Sequence, residues 1–134
     1  NRQALMNSFY RSQLQPVLEQ MVTNWSNQMG EEATSFRWQI LTMRQQWGSC
    51  STQKRSIRYN LHLARVPRRC IEYVVVHELA HLKVHEHDKN FRAILDAYLP
   101  DWQQRKKELD EFVILPTPDI NKPNRDVDFK ESDA

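Results

Sequence analysis

Apolar side chains recur at intervals of three and four residues near the start of the chain, from Leu14 to Met29. This spacing predicts an amphipathic helix over residues 14–29, because side chains at these intervals lie on one face of a helix. Pro16 fits the first turn of such a helix, where an N–H group has no intrahelical partner. Gly30 follows directly and is typical of a helix C-terminus, since glycine enters the left-handed conformation without steric strain.

The pattern then changes to an alternation of period two, which is typical of β-strands. Residues 36–47 and residues 56–61 both alternate aromatic or branched side chains with polar ones. The polar stretch from Ser51 to Arg55 has the length of a turn, so the two strands are predicted to pair in an antiparallel manner. Gly48 lies at the end of the first strand and indicates a crowded or strained backbone there.

Helical periodicity returns in the second half of the chain. A helix is predicted over residues 67–84, and Asp88 can cap another helix that ends before a proline. A short helix over residues 101–111 follows. Residues 116–134 combine three prolines with many charges, so we expect a loosely ordered C-terminal tail there and a single catalytic domain over residues 1–115.

Length and composition fit this picture of one folded domain. The chain has 134 residues, of which 40% are hydrophobic and 27% are charged, as in ordinary globular proteins. No apolar run approaches the roughly 20 residues that span a membrane, and no secretory signal is visible. Cys50 and Cys70 are too few for a disulfide framework, so we expect buried thiols and a cytoplasmic location.

The net charge of +2 hides an uneven distribution of charged side chains. Residues 33–71 contain eight basic side chains and no acidic one. We call residues 37–69 the basic segment. Such a run is commonly a solvated surface, but it can also concentrate anionic ligands, so nucleotides and nucleic acid are candidate partners.

The helix predicted over residues 67–84 carries the motif H-E-x-x-H at residues 77–81. Histidines four positions apart lie about 40° apart around a helix axis and one turn along it, so both imidazoles reach one ion. Glu78 then lies beside the metal, where it can accept a proton from a zinc-activated water. The motif predicts a Zn2+ site at His77 and His81 with Glu78 as the catalytic base.

A tetrahedral zinc ion that also binds water needs a third protein ligand. His87 lies ten residues after His77, the separation found in H-E-x-x-H-x-x-G-x-x-H metallopeptidases. His85 is an alternative, but it lies too far along the axis if the helix continues. Glu108 or Glu111 could serve as a distant carboxylate ligand, although nothing in their context supports it. The spacing favours His87 as the third metal ligand.

Further motifs occur in a distinctive order along the chain. They are Trp47 to Ser51, Ile57 to Leu61 with Asn60, Tyr73 to His81, His87 with Phe91, and Pro100 to Trp102. In this order they resemble the YgjP-like zinc metallopeptidase domains, relatives of the SprT and WLM peptidases. The resemblance implies a zincin-like α+β fold, with a small antiparallel sheet packed beside the H-E-x-x-H helix and with flanking helices. It also implies that His87 is the third zinc ligand.

The sequence thus predicts a zinc-dependent hydrolase, in the first place a metallopeptidase that acts on peptides or proteins. One alternative is a nucleotide phosphohydrolase of the nucleoside triphosphate pyrophosphatase type, in which arginines neutralise the phosphates. Another is a zinc-stabilised nucleic-acid-binding module, although a structural zinc site would need no base at Glu78. Tyr73, His85 and Asn60 are conceivable donors to an oxyanion, and that role stays unassigned. Trp47 is interpreted as a core residue.

Overall fold

The computed structural model of the chain describes residues 1–114 and 132–133. The helices are α1 (Arg2–Gln28), α2 (Arg68–His81), α3 (Lys89–Tyr98) and α4 (Trp102–Leu109), and a 3-10 helix spans Leu61–Arg65. The strands are β1 (Arg37–Leu41), β2 (Gly48–Ser51), β3 (Ser56–Asn60) and β4 (Ser132–Asp133). The fold class is α+β, as the sequence predicts.

The sheet is mixed, with the strand order β1-β3-β2-β4. β2 pairs with β3 in an antiparallel manner, from Gly48 opposite Tyr59 to Ser51 opposite Ser56. β1 pairs with the other edge of β3 in a parallel manner, in register from Arg37 opposite Ser56. The predicted antiparallel pairing is therefore correct for β2 and β3 and wrong for β1.

The strand predicted over residues 36–47 is in fact two strands with an irregular connection. The side-chain amide of Asn60 donates to the carbonyls of Met43 at 3.1 Å and Gln46 at 2.7 Å. The side chain of Asn60 thus provides hydrogen-bond donors for backbone carbonyls in the connection between the two strands. The chain can therefore leave β1 and return as β2 on the other side of β3, which alternation alone does not reveal.

The first helix begins far earlier than residue 14. Asn1 caps α1, because its side-chain oxygen accepts a hydrogen bond from the Ala4 N–H at 2.8 Å. Pro16 consequently lies inside the helix and not in its first turn. The early turns have no continuous apolar stripe, and buried side chains begin at Leu14. Hydrophobic periodicity therefore predicts the packed half of α1 and misses the exposed half.

The helix α2 occupies the centre of the fold. It packs against α1, α3, α4 and β2, and nearly all of its side chains from Cys70 onward are buried. A helix that is covered on all sides in this way is a core helix. It ends at His81, three residues before the predicted end at Val84. The segment between α2 and α3 is therefore free to turn back toward the helix.

The remaining sequence predictions concern helix caps, cysteines and the tail. Asp88 caps α3 through hydrogen bonds that its carboxylate accepts from two backbone N–H groups. Cys50 and Cys70 are both buried, as the sequence predicts. Of the tail predicted over residues 116–134, only Ser132 and Asp133 lie within the described residues, and they pair with β2. No helix in the described part of the chain is long and apolar enough to cross a bilayer.

Candidate metal centre

Three histidines converge at the C-terminal end of α2. The Nε2 atoms of His77 and His81 lie 3.3 Å apart, and the Nε2 of His87 lies 3.0 Å from that of His81 and 3.3 Å from that of His77. Zinc–nitrogen bonds of about 2.0–2.1 Å in a tetrahedral site separate two ligand nitrogens by about 3.3–3.4 Å. The three nitrogens thus have the spacing of ligands that share one zinc ion.

The early end of α2 brings His87 to the other two histidines. After His81 the chain makes a further turn in which the Val84 N–H donates to the Ala80 carbonyl at 3.0 Å. His87 then precedes Asp88, the cap of α3, so its position is fixed from both sides. The turn needs no glycine at Val84, the position at which the longer metallopeptidase motif has one.

Hydrogen bonds at the Nδ1 atoms select the protonation form that can bind a metal. His81 Nδ1 donates to the Val84 carbonyl at 3.0 Å, and a carbonyl can only accept. His77 Nδ1 lies 3.2 Å from the Tyr73 hydroxyl. The Val84 carbonyl therefore keeps the proton of His81 on Nδ1 and leaves its Nε2 unprotonated toward the cluster, as metal binding requires. His77 has the same form when its Nδ1 donates to the Tyr73 hydroxyl.

Burial keeps the His81 imidazole neutral. Desolvation lowers the pKa of His81 to about 4, so the ring is uncharged near neutral pH and available to a cation. Phe91 from α3 stacks on His81, with ring centroids 4.2 Å apart and planes 19° apart. Phe91 also makes an edge contact with His77 at 5.0 Å between centroids. The aromatic packing fixes the ring orientations from the side of α3.

Glu78 lies in the core between α2 and β2, with its side chain fully buried. Gly48 makes this packing possible, because a Cβ atom there would lie 3.2 Å from Glu78 Cγ and 3.0 Å from Val74 Cγ1. The crowding that the sequence predicts at Gly48 therefore arises from the helix that carries the motif. The negative charge of Glu78 also contributes, after burial, to raising the pKa of Tyr73 above its usual value.

The alternative ligands lie elsewhere. His85 is exposed, and its Nδ1 is 3.2 Å from the Thr52 hydroxyl. Glu108 pairs with Arg69. Within residues 1–114 and 132–133, the group able to hold an ion consists of His77, His81 and His87.

The conceivable oxyanion donors have other contacts. The Asn60 amide holds the connection between β1 and β2, and the Tyr73 hydroxyl contacts His77. The role of oxyanion donor therefore stays unassigned. Trp47 is buried in the core, as the sequence indicates, and it also lines a cavity beside the histidines.

This cavity is the part of the site that the sequence does not reveal. It opens beside His77 and His87 and has a volume of about 450 Å³. Its lining also includes Leu95 on α3 and Trp102 and Leu109 on α4. In the sequence these residues are ordinary members of apolar helix faces. The packing of α3 and α4 beside α2 brings them to the same cavity as His77 and His87.

The basic segment is only partly available to ligands. Arg55 pairs with Glu31 at 2.6 Å and Arg69 pairs with Glu108. Arg58 is buried. The exposed cations of the segment that have no ion pair within the described part of the chain are Arg37, Arg44, Lys54 and Arg68.

Comparison with known proteins agrees with this architecture. The fold is similar to the crystal structure of the metallopeptidase zymogen abylysin from Pyrococcus abyssi, with a TM-score of 0.60 and 19% identity over 70% of this chain and 90% of that chain. It is also similar to the metallopeptidase zymogen jannalysin from Methanocaldococcus jannaschii, with a TM-score of 0.62 and 19% identity over 70% of this chain and 94% of that chain. No curated protein sequence matches the chain significantly.

The chain thus shares its α+β fold with these two metallopeptidase zymogens, and it carries two histidines on its central helix and a third in the segment that follows. The chain belongs to the YgjP-like family, because the model of the YgjP-like metallopeptidase domain matches residues 1–112. The match includes the whole histidine cluster. It confirms the family resemblance that the sequence motifs indicate.

Proposed function

We propose that this chain is a zinc-dependent peptidase in which His77, His81 and His87 bind one zinc ion through Nε2 and Glu78 is the general base. The observation that carries the proposal is the convergence of three Nε2 atoms within 3.3 Å of one another, next to a buried carboxylate on the same helix. The donor set consists only of imidazoles, which suits zinc better than the oxygen-seeking ions magnesium and calcium.

The residues of the site have distinct roles in this hydrolysis. A bound zinc ion supplies Lewis acidity, which makes water a stronger acid and polarises a carbonyl group. Glu78 accepts the proton of the attacking water and then donates it to the leaving amine. Tyr73 and the Val84 carbonyl hold the Nδ1 protons of His77 and His81, so both rings keep their metal-binding form.

The outer edge of β2 is the proposed position of a peptide substrate. Backbone pairing at this edge occurs within the chain itself, because Ser49 and Cys50 pair with Asp133 and Ser132 in an antiparallel manner. An extended peptide that replaces β4 can use the same backbone groups and take the place of this strand in the sheet. Since β2 packs directly on Glu78 through Gly48, such a peptide would run beside the proposed base.

A peptide-cleavage assay with matched glutamine variants tests the role of Glu78. We expect Glu78→Gln to retain zinc and fold but to lose nearly all hydrolysis of an unstructured peptide library, because an amide cannot accept the proton of the water. Glu86→Gln is the control, since Glu86 is an exposed carboxylate in the segment that carries His87. Turnover of Glu78→Gln near the wild-type rate would exclude Glu78 as the base.

Elemental analysis of single alanine variants tests the ligand set. Wild-type protein should contain one zinc ion per chain, and replacing His77, His81 or His87 should remove most of it. His85→Ala is the matched control, because His85 is an exposed histidine only two positions from His87. Normal zinc content in His87→Ala would remove this residue from the site.

The two alternative activities are separate outcomes of the same assays. Release of phosphate or pyrophosphate from nucleoside triphosphates that requires Glu78 would favour a nucleotide phosphohydrolase. Zinc binding without hydrolysis of either substrate class would favour a nucleic-acid-binding module. A peptidase is preferred because the cavity beside the histidines is lined mainly by apolar side chains, whereas a triphosphate needs several converging cations. The small number of cysteines, Cys50 and Cys70 alone, favours a cytoplasmic location.

A further inference from the structure

Two chemically different kinds of side chain line the cavity beside the histidines. His77 and His87 are part of the lining, so a group that fills the cavity lies next to the proposed zinc ligands. Six large side chains also line it, Trp47, Tyr73, Phe91, Leu95, Trp102 and Leu109. The volume of about 450 Å³ lies within the range of about 300–1,000 Å³ that is typical of ligand pockets.

The interior of the cavity has no charged group of its own. Leu95 and Leu109 are fully buried, and the hydroxyl of Tyr73 is engaged with His77 Nδ1. The charged residues that line the cavity, Arg92 and the pair Lys106–Asp110, are exposed and therefore lie at its mouth.

The mouth has a net positive charge. Lys106 Nζ lies 3.2 Å from the Asp110 carboxylate, so these two charges offset each other. Arg92 makes only a long hydrogen bond of 3.5 Å to the His87 carbonyl. A basic side chain in the cavity would therefore meet repulsion at the mouth and no available carboxylate inside.

We infer that this cavity binds a large apolar or aromatic side chain of the peptide residue next to the scissile bond. The inference rests on the proposed peptidase function and adds the substrate class to it. The occupant must be adjacent to the cleaved bond because two ligands of the proposed metal form a wall of the cavity. It must be apolar because a buried polar or charged group would lose its hydration without gaining a partner.

A comparison of peptide substrates tests the size and polarity of the occupant. Peptides that differ only at the residues flanking the cleaved bond are offered to the zinc-loaded wild-type protein. We expect kcat/KM for phenylalanine or leucine at one flanking position to exceed that for alanine by roughly tenfold or more, since each methylene in an apolar pocket contributes about that factor. Lysine and aspartate at the same position should be cleaved no faster than alanine. Equal rates for all residues at both positions would overturn the inference.

Two tryptophan variants provide a matched test of the cavity wall. Trp102 and Trp25 are both partly buried. The indole N–H of Trp102 donates to the Asp96 carboxylate at 2.7 Å, and that of Trp25 donates to the Glu72 carboxylate at 2.8 Å. Of these two tryptophans, Trp102 lines the cavity and Trp25 does not. We expect Trp102→Ala to reduce the preference for phenylalanine over alanine several-fold, while Trp25→Ala leaves the preference unchanged. The same loss in both variants would mean that Trp102 acts only through stability, and would overturn its role in the cavity.

A binding measurement separates failure of the pocket from failure of the peptidase proposal. N-acetyl-phenylalaninamide and N-acetyl-glycinamide are titrated into the zinc-loaded Glu78→Gln protein, and the NMR signals of the four indole N–H groups are followed. We expect the phenylalanine probe to bind more tightly and to shift the signals of Trp102 and Trp47. Peptide cleavage without this difference would leave the peptidase and overturn the pocket. Selective probe binding without peptide cleavage would support the pocket and overturn the proposed function.

Discussion

The Tyr73 hydroxyl contacts a proposed metal ligand that lies one helical turn away. Its Oη lies 3.2 Å from His77 Nδ1, and both side chains are buried. We expect Tyr73→Phe to weaken zinc binding by about 10- to 100-fold, the usual effect of losing a partner behind a metal-bound histidine. Competition with a chromophoric chelator measures the change.

The control for this variant is Tyr98→Phe. Tyr98 is partly buried and makes a ring contact with Trp25 on the side of α3 and α1. Its phenylalanine variant should bind zinc like the wild type. If Tyr73→Phe also binds zinc normally, then the Tyr73 hydroxyl does not orient His77, although the ring can still contribute to packing.

Gly48 determines how closely β2 approaches the proposed base. In Gly48→Ala the new methyl group would lie 3.0 Å from Val74 Cγ1, 3.2 Å from the Arg58 carbonyl and 3.2 Å from Glu78 Cγ. We expect the variant to lower the free energy of unfolding by about 1–3 kcal/mol, as overpacking in a core does. It should also lower kcat by up to about 100-fold, because Glu78 must shift. Chemical denaturation and peptide-cleavage kinetics measure the two effects.

The second glycine of the chain provides the comparison for Gly48. Gly30 has a φ of 77° and no atom within 4 Å of an added Cβ. Gly30→Ala should therefore cost about 1–2 kcal/mol through backbone strain and leave kcat unchanged. A normal kcat in Gly48→Ala, despite the loss of stability, would show that the position of Glu78 does not depend on β2.

At the scale of secondary-structure elements, Arg55 connects the sheet to the end of α2, the helix that carries His77 and His81. Its guanidinium donates to the Leu82 carbonyl at 3.0 Å and to Glu31 at 2.6 Å. Leu82 is the C-cap of α2, directly after His81. We expect Arg55→Leu to lower the free energy of unfolding by about 1–3 kcal/mol, because a carbonyl and a largely buried carboxylate lose a donor. Zinc should also dissociate faster, which stopped-flow exchange with a chelator measures.

Arg69→Leu is the matched control for this prediction. Arg69 also pairs with a carboxylate, that of Glu108, but both groups are much more exposed than Glu31. This pair lies away from the end of α2 that carries the histidines. Arg69→Leu should therefore leave zinc exchange unchanged. Equal zinc exchange rates in the Arg55 and Arg69 variants would contradict an anchoring role for Arg55.

The elements also show which features a sequence pattern can predict. The histidine pair, its base and the third histidine follow from local spacing, and the helices α2, α3 and α4 follow from apolar periodicity with caps at Pro67 and Asp88. Local patterns do not predict that Asn60 holds the β1–β2 connection. Its two hydrogen bonds reach Gln46, which lies 14 positions earlier in the chain, and Met43, which lies 17 positions earlier. They also miss the exposed half of α1, where helix propensity and an N-cap act without a buried face.

The whole molecule places its chemistry on its most buried helix. His77, Glu78 and His81 belong to α2, which α1, α3, α4 and β2 surround, whereas His87 comes from the exposed segment that follows. Two of the proposed ligands and the proposed base are thus fixed by the core, and the third proposed ligand closes the site from the surface. This division explains why the cavity, formed where α3 and α4 meet α2, opens beside His77 and His87.

The distribution of charge over the whole molecule leads to a prediction on anion binding. Reversal of Arg55 or Arg58 would disturb the fold, since the first holds α2 and the second is buried. The informative positions are the exposed cations Arg37, Arg44 and Arg68. If the basic segment binds single-stranded nucleic acid, a plot of the logarithm of the binding constant against the logarithm of the salt concentration should be a falling line. Each phosphate contact should contribute about −0.7 to its slope.

A triple reversal of these arginines to glutamate should flatten that salt dependence and leave zinc content unchanged. The matched control is a second triple variant that combines Arg2→Glu, Lys89→Glu and Lys107→Glu. It changes the net charge by the same amount at exposed positions outside the basic segment. Fluorescence anisotropy with a labelled oligonucleotide at several salt concentrations measures both variants. A slope that falls equally in the two variants would reflect net charge alone. Binding of the wild type that does not respond to salt would leave the basic segment as a solvated surface, because contacts with phosphates release counterions.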